Sequence, residues 1–71
     1  MLPLHITLSP CFQAHVTDST GRHLGYMDVQ SSTPDAQWLI GRGLAAMGYR
    51  VWSMRSIGTL ARGGYVVAQV A

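Results

Sequence analysis

Only one segment of this 71-residue chain has the residue spacing of an amphipathic helix, and it lies in the middle of the sequence. Thr33 is a suitable N-cap, Pro34 suits the first helical position, and Asp35 complements the positive end of the helix dipole. Glycine stops are typical of helix ends, so Gly48 with Tyr49 predicts the end. The predicted apolar face comprises Ala36, Leu39, Ile40, Gly43, Leu44 and Met47. One helix can cover only one face of a sheet, which constrains the whole fold.

The segments before the helix alternate between apolar and polar residues, as strands with one buried face do. Residues 4–8 and 11–17 show this pattern, and a third strand is predicted at about residues 23–30. Pro10 interrupts the first two, so the second strand either stands alone or continues the first past a bend. The short polar side chains and the glycine of residues 18–21 predict a turn. The first thirty residues therefore predict a hairpin with an N-terminal extension.

The segment after the helix predicts a second hairpin. Residues 51–57 and 65–70 are rich in β-branched and aromatic side chains, and glycines bracket the loop between them. The predicted fold is a single α+β domain over residues 1–71. It has ββαββ order, with one antiparallel sheet of four to five strands and the helix on one face.

The sheet face opposite the helix is the predicted binding surface. Period-two alternation places one of two sets of residues from the first strand after the helix on that face. These sets are Val51, Ser53, Arg55 and Ile57, or Trp52, Met54 and Ser56.

Within the helix, Gly41 and Gly43 each cost about 1 kcal/mol relative to alanine. We therefore expect the helix to approach a sheet or a partner closely at these positions.

Composition excludes several classes of protein. With 48% hydrophobic and 11% charged residues, the chain is too apolar to be disordered. No apolar stretch reaches the roughly 18–20 residues of a membrane-spanning helix, so we expect a soluble, cytoplasmic protein. The single cysteine, Cys11, cannot form an internal disulfide. Chains this small gain little net stability from their cores, which favours a homodimer or partner binding.

Charge separates the two halves of the chain. Residues 1–35 hold one arginine and three aspartates, a net charge of −2, whereas residues 36–71 hold four arginines and no acid, a net charge of +4. A basic half of this kind suits phosphate or an acidic protein surface.

Metal binding and catalysis are not favoured by the sequence. His5, Cys11, His15 and His23 are of ligand type, but only Cys11 and His15 are close in sequence, and on one strand they would stand about 13 Å apart. We expect histidines on the solvated side of strands, with no metal and no cofactor. The register that decides whether His15 and His23 meet across the hairpin stays open. The sequence shows no recognisable arrangement of a nucleophile, a base and an orienting group. It therefore predicts a protein that is not an enzyme.

Arginine and aromatic residues of the second half are the candidate partner-binding residues, since both types are enriched at interface centres. They are Arg42, Arg50, Trp52, Arg55, Arg62 and Tyr65. Bound to nucleic acid, the aromatic rings would stack on unpaired bases while the arginines contact phosphates. Trp52 and Tyr65 also suit a core beneath the helix, and Trp38 suits either the rim of the core or a contact surface.

The hairpin of residues 12–30, the capped helix from Thr33 and the hairpin of residues 51–70 together resemble small phage-encoded inhibitors of host machinery, such as anti-CRISPR proteins. The resemblance covers size and organisation. It implies a non-enzymatic protein-interaction module in the host cytoplasm, which occludes a surface of a host protein complex. A basic chain suits direct occlusion better than mimicry of DNA. The alternatives are a small basic nucleic-acid-binding protein and a homo-oligomer joined through sheet edges.

Overall fold

The computed structural model describes residues 2–9, 13–29 and 36–71, with five strands and one α-helix. The elements are β1 (Leu2–Leu8), β2 (Gln13–Thr17), β3 (His23–Asp28), α1 (Ala36–Ala46), β4 (Val51–Ile57) and β5 (Tyr65–Val70), with a 3-10 helix at Leu60–Arg62 between β4 and β5. Several predicted features lie outside the described residues. They are the bend at Pro10, the strand residues Cys11 and Phe12, and the helix cap at Thr33, Pro34 and Asp35.

All five strands form one antiparallel sheet in the order β3-β2-β1-β5-β4. The predicted α+β class, with a single sheet and one helix, is confirmed. The predicted ββαββ order is wrong in one respect, because three strands precede the helix.

Strand β1 does not continue into β2, because the chain reverses between them. The Ser9 N–H donates to the Gln13 carbonyl at 2.8 Å, and Ile6 pairs with Val16. On its other side Ile6 pairs with Val66, which makes β1 the central strand.

The core lies between the sheet and α1. Alternate residues of β1, β2 and β5 are fully buried on the α1 side, as the period-two pattern predicts. The buried apolar residues are Leu4, Ile6, Ala14, Val16, Val29, Ile40, Leu44, Val66, Ala68 and Val70. Ile40 and Leu44 are thus the part of the predicted helical stripe that reaches the centre of the core.

Helix α1 ends as the sequence predicts. The Tyr49 N–H donates to the Leu44 carbonyl and the Gly48 N–H to the Ala45 carbonyl, each at 3.0 Å. Gly48 takes a φ of +97°, the left-handed conformation that favours glycine at this position. At 11 residues, the helix of the described part is too short to cross a membrane.

The predicted close approach at both helical glycines is to side chains of the sheet. Gly43 lies against Met27 of β3, and a Cβ at Gly41 would stand 3.4 Å from the Met54 sulfur of β4. The helix therefore sits over the sheet with methionines from the two edge strands on either side of it.

Candidate functional site

The sheet face turned away from α1, called the open face below, presents several imidazole and phenol rings. The strand register places six ring-bearing or basic side chains on it: His5, His15, His23, Tyr26, Arg55 and Tyr65. All three histidines of the chain are among them. The expectation that the histidines lie on the solvated side of strands is confirmed.

His5 and Tyr65 form the centre of the open face. They belong to the adjacent strands β1 and β5, and their ring centroids are 5.7 Å apart at an interplanar angle of 34°. Both are half-buried. Tyr65 therefore does not lie beneath the helix, and the core position considered for it is wrong. Its neighbours are Thr7, opposite it on β1, and Ile57 on β4.

A second cluster of rings lies on β2 and β3. Nδ1 of His15 and Nε2 of His23 are 3.1 Å apart, within hydrogen-bond distance. The ring of Tyr26, directly opposite His15, has its centroid 6.1 Å from that imidazole. Tyr26 is 59% exposed. Tyr26 is not among the residues predicted to bind a partner, although its position in a predicted strand was the signal that could have indicated it.

A register shift in β4 mixes the two predicted sets of outward residues. The shift falls between Val51 and Ser53, so Val51 packs against the core whereas Ser53, Arg55 and Ile57 face the open side. Met54 and Ser56 turn toward α1, where Ser56 Oγ lies 3.4 Å from the side-chain nitrogen of Gln37. Neither set is correct as a whole, because a bulge reverses the alternation partway along a strand.

Trp52 lies at this register shift and is 63% exposed. The core position considered for it is therefore wrong. Trp38 is 64% exposed on the outer side of α1, with the Arg42 guanidinium 5.0 Å from the centroid of its ring. This cation–π pair forms a separate surface on the helix side of the molecule.

The six predicted partner-binding residues are thus divided among several surfaces. Arg55 and Tyr65 share the open face, and Arg42 lies on the helix side. Arg50 and Arg62 are exposed at opposite ends of the β4–β5 hairpin. The backbone carbonyl of Arg50 accepts a hydrogen bond from the Ala71 N–H at 2.9 Å.

The polar and charged side chains of the described residues are at least partly exposed to solvent. Within residues 2–9, 13–29 and 36–71, no polar or charged side chain is buried and no three histidine, cysteine or acidic residues form a group that could hold a metal. Asp18 is half-buried in the β2–β3 turn. A hydrogen bond from the Thr20 hydroxyl at 2.6 Å, helped by the Arg22 and Thr20 N–H groups, holds the pKa of that carboxyl below its ordinary value of 3.8.

Fold and surface together define a small α+β domain with one helix-covered and one open sheet face. No protein-family model matches the chain, and no curated protein or solved structure is significantly similar to it.

Proposed function

We propose that this chain is a non-enzymatic module that binds a protein partner through the open face. The observation that carries the proposal is the set of rings and the arginine that this face presents to solvent, from Tyr26 on β3 to Arg55 on β4. Tyrosine and arginine are enriched at protein interfaces because they combine a large contact area with hydrogen-bonding groups. Five neighbouring strands fix the backbone beneath these side chains, so the backbone would lose little conformational freedom on binding.

The absence of buried polar side chains in the described part of the chain supports a binding role over catalysis. Catalytic groups are usually activated by burial or by close charged neighbours, which shift their pKa values. Here the lowered pKa of the Asp18 carboxyl has a local cause, since its hydrogen bonds lie within a surface turn. A turn of this kind is explained by its own local structure.

We further propose that the partner is a host protein complex, blocked by direct occlusion in the host cytoplasm, as the resemblance to phage-encoded inhibitors implies. The charges of the open face support occlusion over mimicry of nucleic acid. Arg55 lies on that face, and Asp28 is the acidic residue that its register contributes. A mimic of DNA would need rows of acidic groups in place of this mixed surface.

Nucleic-acid binding is the second candidate, favoured by the exposure of Tyr26 beside His15 on a β-sheet. Sheets that bind single strands stack bases on such rings. The arginines favour the protein partner instead. A nucleic-acid surface usually groups its basic residues on one face, whereas Arg42 and Arg55 lie on opposite sides of this domain.

Affinity capture with variants of the two surfaces tests the proposal. The tagged protein is used to capture partners from source-organism lysate, with and without nuclease, at low and high salt. The open-face variant Tyr26→Ala/Arg55→Ala is compared with a matched control on the helix side, Trp38→Ala/Arg42→Ala. Each variant removes one exposed aromatic ring and one positive charge. Thermal unfolding by circular dichroism verifies that both variants remain folded.

We expect one stoichiometric protein that survives nuclease and high salt, is lost with the open-face variant and is retained by the control. A partner lost only with the helix-side variant would overturn the proposal. Captured material that disappears with nuclease would establish the nucleic-acid alternative. Comparing the single variants Arg55→Ala, on β4, and Arg62→Ala, in the β4–β5 loop, then shows whether that loop contributes to the same contact.

A further inference from the structure

We propose that His15 and His23 form a chelating site for one divalent transition-metal ion, such as Zn²⁺ or Ni²⁺, on the open face. The inference rests on the geometry of the two imidazoles and is independent of the proposed function. Their facing nitrogens, Nδ1 of His15 and Nε2 of His23, are 3.1 Å apart and exposed at the surface.

The separation of the two nitrogens suits a metal chelate. Zn–N bonds are about 2.0–2.1 Å, so two nitrogens on one tetrahedral zinc ion stand about 3.3 Å apart. At the right angles of square-planar or octahedral coordination they stand about 2.9 Å apart. The observed distance lies between these values. A metal ion can therefore bind both nitrogens once each ring turns so that its lone pair points at the ion.

A register shift brings the two histidines together. Gly25 pairs with Val16 on the core side, so strict alternation along β3 would place His23 on the core side as well. The shift between Val16 and Thr17 leaves Leu24 as an extra residue, which packs against the core, and His23 then pairs with Thr17 on the open face. This places His23 diagonally across from His15, within reach of a shared ligand.

The two imidazoles have a third ring beside them. The Tyr26 ring lies beside His15, with the centroids 6.1 Å apart, and the two imidazole centroids are 5.3 Å apart.

Without metal, one imidazole ring donates its N–H to the other. When an ion binds, the proton between the rings leaves its nitrogen and returns through water to the opposite nitrogen of the same ring, so that each imidazole carries its one proton on the nitrogen that faces away from the ion.

Water or a bound molecule would fill the remaining coordination positions of the metal ion. In the described part of the chain, no third histidine, cysteine or acidic residue joins the pair. Structural zinc sites use four protein ligands and catalytic sites commonly three, so this site is of a different kind. It is an open chelate at the surface, able to take a further ligand from whatever docks on the open face.

The test titrates the full-length chain, free of any polyhistidine tag, with ZnCl₂ and separately with NiCl₂ in isothermal calorimetry. The NMR signals of the imidazole rings are followed in the zinc titration. We expect one ion per chain and shifts of the His15 and His23 signals. His15→Gln and His23→Gln should each reduce the affinity about tenfold or more, which is a loss of about 1.4 kcal/mol or more.

His5→Gln is the matched control, since His5 lies on the same face but outside the pair. Cys11→Ser tests the thiol as an independent ligand. We expect both variants to keep the wild-type affinity. The proposal is overturned by the absence of stoichiometric binding, by binding that survives both changes in the pair, or by binding that is lost in His5→Gln or Cys11→Ser alone.

Discussion

The side chain of Met27, on β3, fills the space beside Gly43 of α1, where a Cβ atom would overlap the methionine sulfur. Replacing glycine by alanine within a helix ordinarily stabilises it by about 1 kcal/mol. At this position the overlap opposes that gain. We expect Gly43→Ala to be no more stable than the wild type, and Gly43→Ala in a Met27→Ala background to be about 1 kcal/mol more stable than Met27→Ala alone.

Urea unfolding of the four chains in this double-mutant cycle measures the coupling. Gly41→Ala is the matched control, because its Cβ would stand 3.4 Å from the Met54 sulfur, at ordinary contact distance. We expect it to stabilise the domain by up to about 1 kcal/mol. Equal stabilisation by Gly41→Ala and Gly43→Ala would contradict the packing described at Gly43.

Gly64, just before β5, is enclosed by backbone. A Cβ there would stand 2.5 Å from the Thr59 nitrogen and 2.7 Å from the Ile57 oxygen. Backbone atoms cannot move aside without distorting the loop, so we expect Gly64→Ala to destabilise the domain by about 2 kcal/mol or more. Gly21→Ala is the comparison, with a φ of +87° and open space around it, and should cost about 1–2 kcal/mol. Thermal and urea unfolding check both, and a smaller loss for Gly64→Ala would count against this loop structure.

Trp52 is expected to contribute little to stability. Since its side chain is 63% exposed, Trp52→Ala should change the free energy of unfolding by about 0.5 kcal/mol or less. A core tryptophan would cost about 3–5 kcal/mol. Ile40→Ala, at a fully buried position, provides the contrast and should cost about 2–5 kcal/mol. The measurement is urea unfolding, and comparable losses in the two variants would mean that Trp52 is buried.

Asp18 should make stability depend on pH in the acidic range. Its pKa is lowered in the folded state, so the unfolded chain takes up a proton first as the pH falls. The stabilisation is complete above the ordinary pKa of 3.8, which the carboxyl has in the unfolded chain, and is lost as the pH falls through the lower folded pKa.

Comparison with Asp18→Asn, which cannot ionise, isolates this effect. The difference in unfolding free energy between wild type and variant should shrink as the pH is lowered from 5 toward 2, and NMR titration of the Asp18 carboxyl carbon should give a pKa below 3.8. A difference that stays constant over that pH range would show that the hydrogen bonds of this turn do not favour the ionised form.

Much of the local structure could be predicted from the sequence. The strands at Val51–Ile57 and Tyr65–Val70 have the predicted bounds, and the predicted glycine stop, Gly48, follows the last residues of the helix with a positive φ. Alternation also identified the buried Ala14 and Val16 on β2. These features depend on residues a few positions apart, whose preferences act within one strand or one turn of helix.

The candidate site was predicted less completely. Arg55 and Tyr65 do share one face, but Arg42 lies on the other side of the domain, and Tyr26 was missed. Which side a strand residue faces depends on every bulge before it. The shifts at Val51/Ser53 and at Val16/Thr17 therefore changed the composition of the open face in ways that regular alternation does not contain.

The sequence by itself determined the single helix, the alternating strands and the glycine turns, because these follow from local spacing and backbone preference. Only the tertiary structure decided that β1 lies at the centre of the sheet, with β2 on one side and β5 on the other. Only it decided that His15 and His23 meet. Both depend on pairing between strands, which is selected by burial of the whole core, and no local stretch of sequence contains that information.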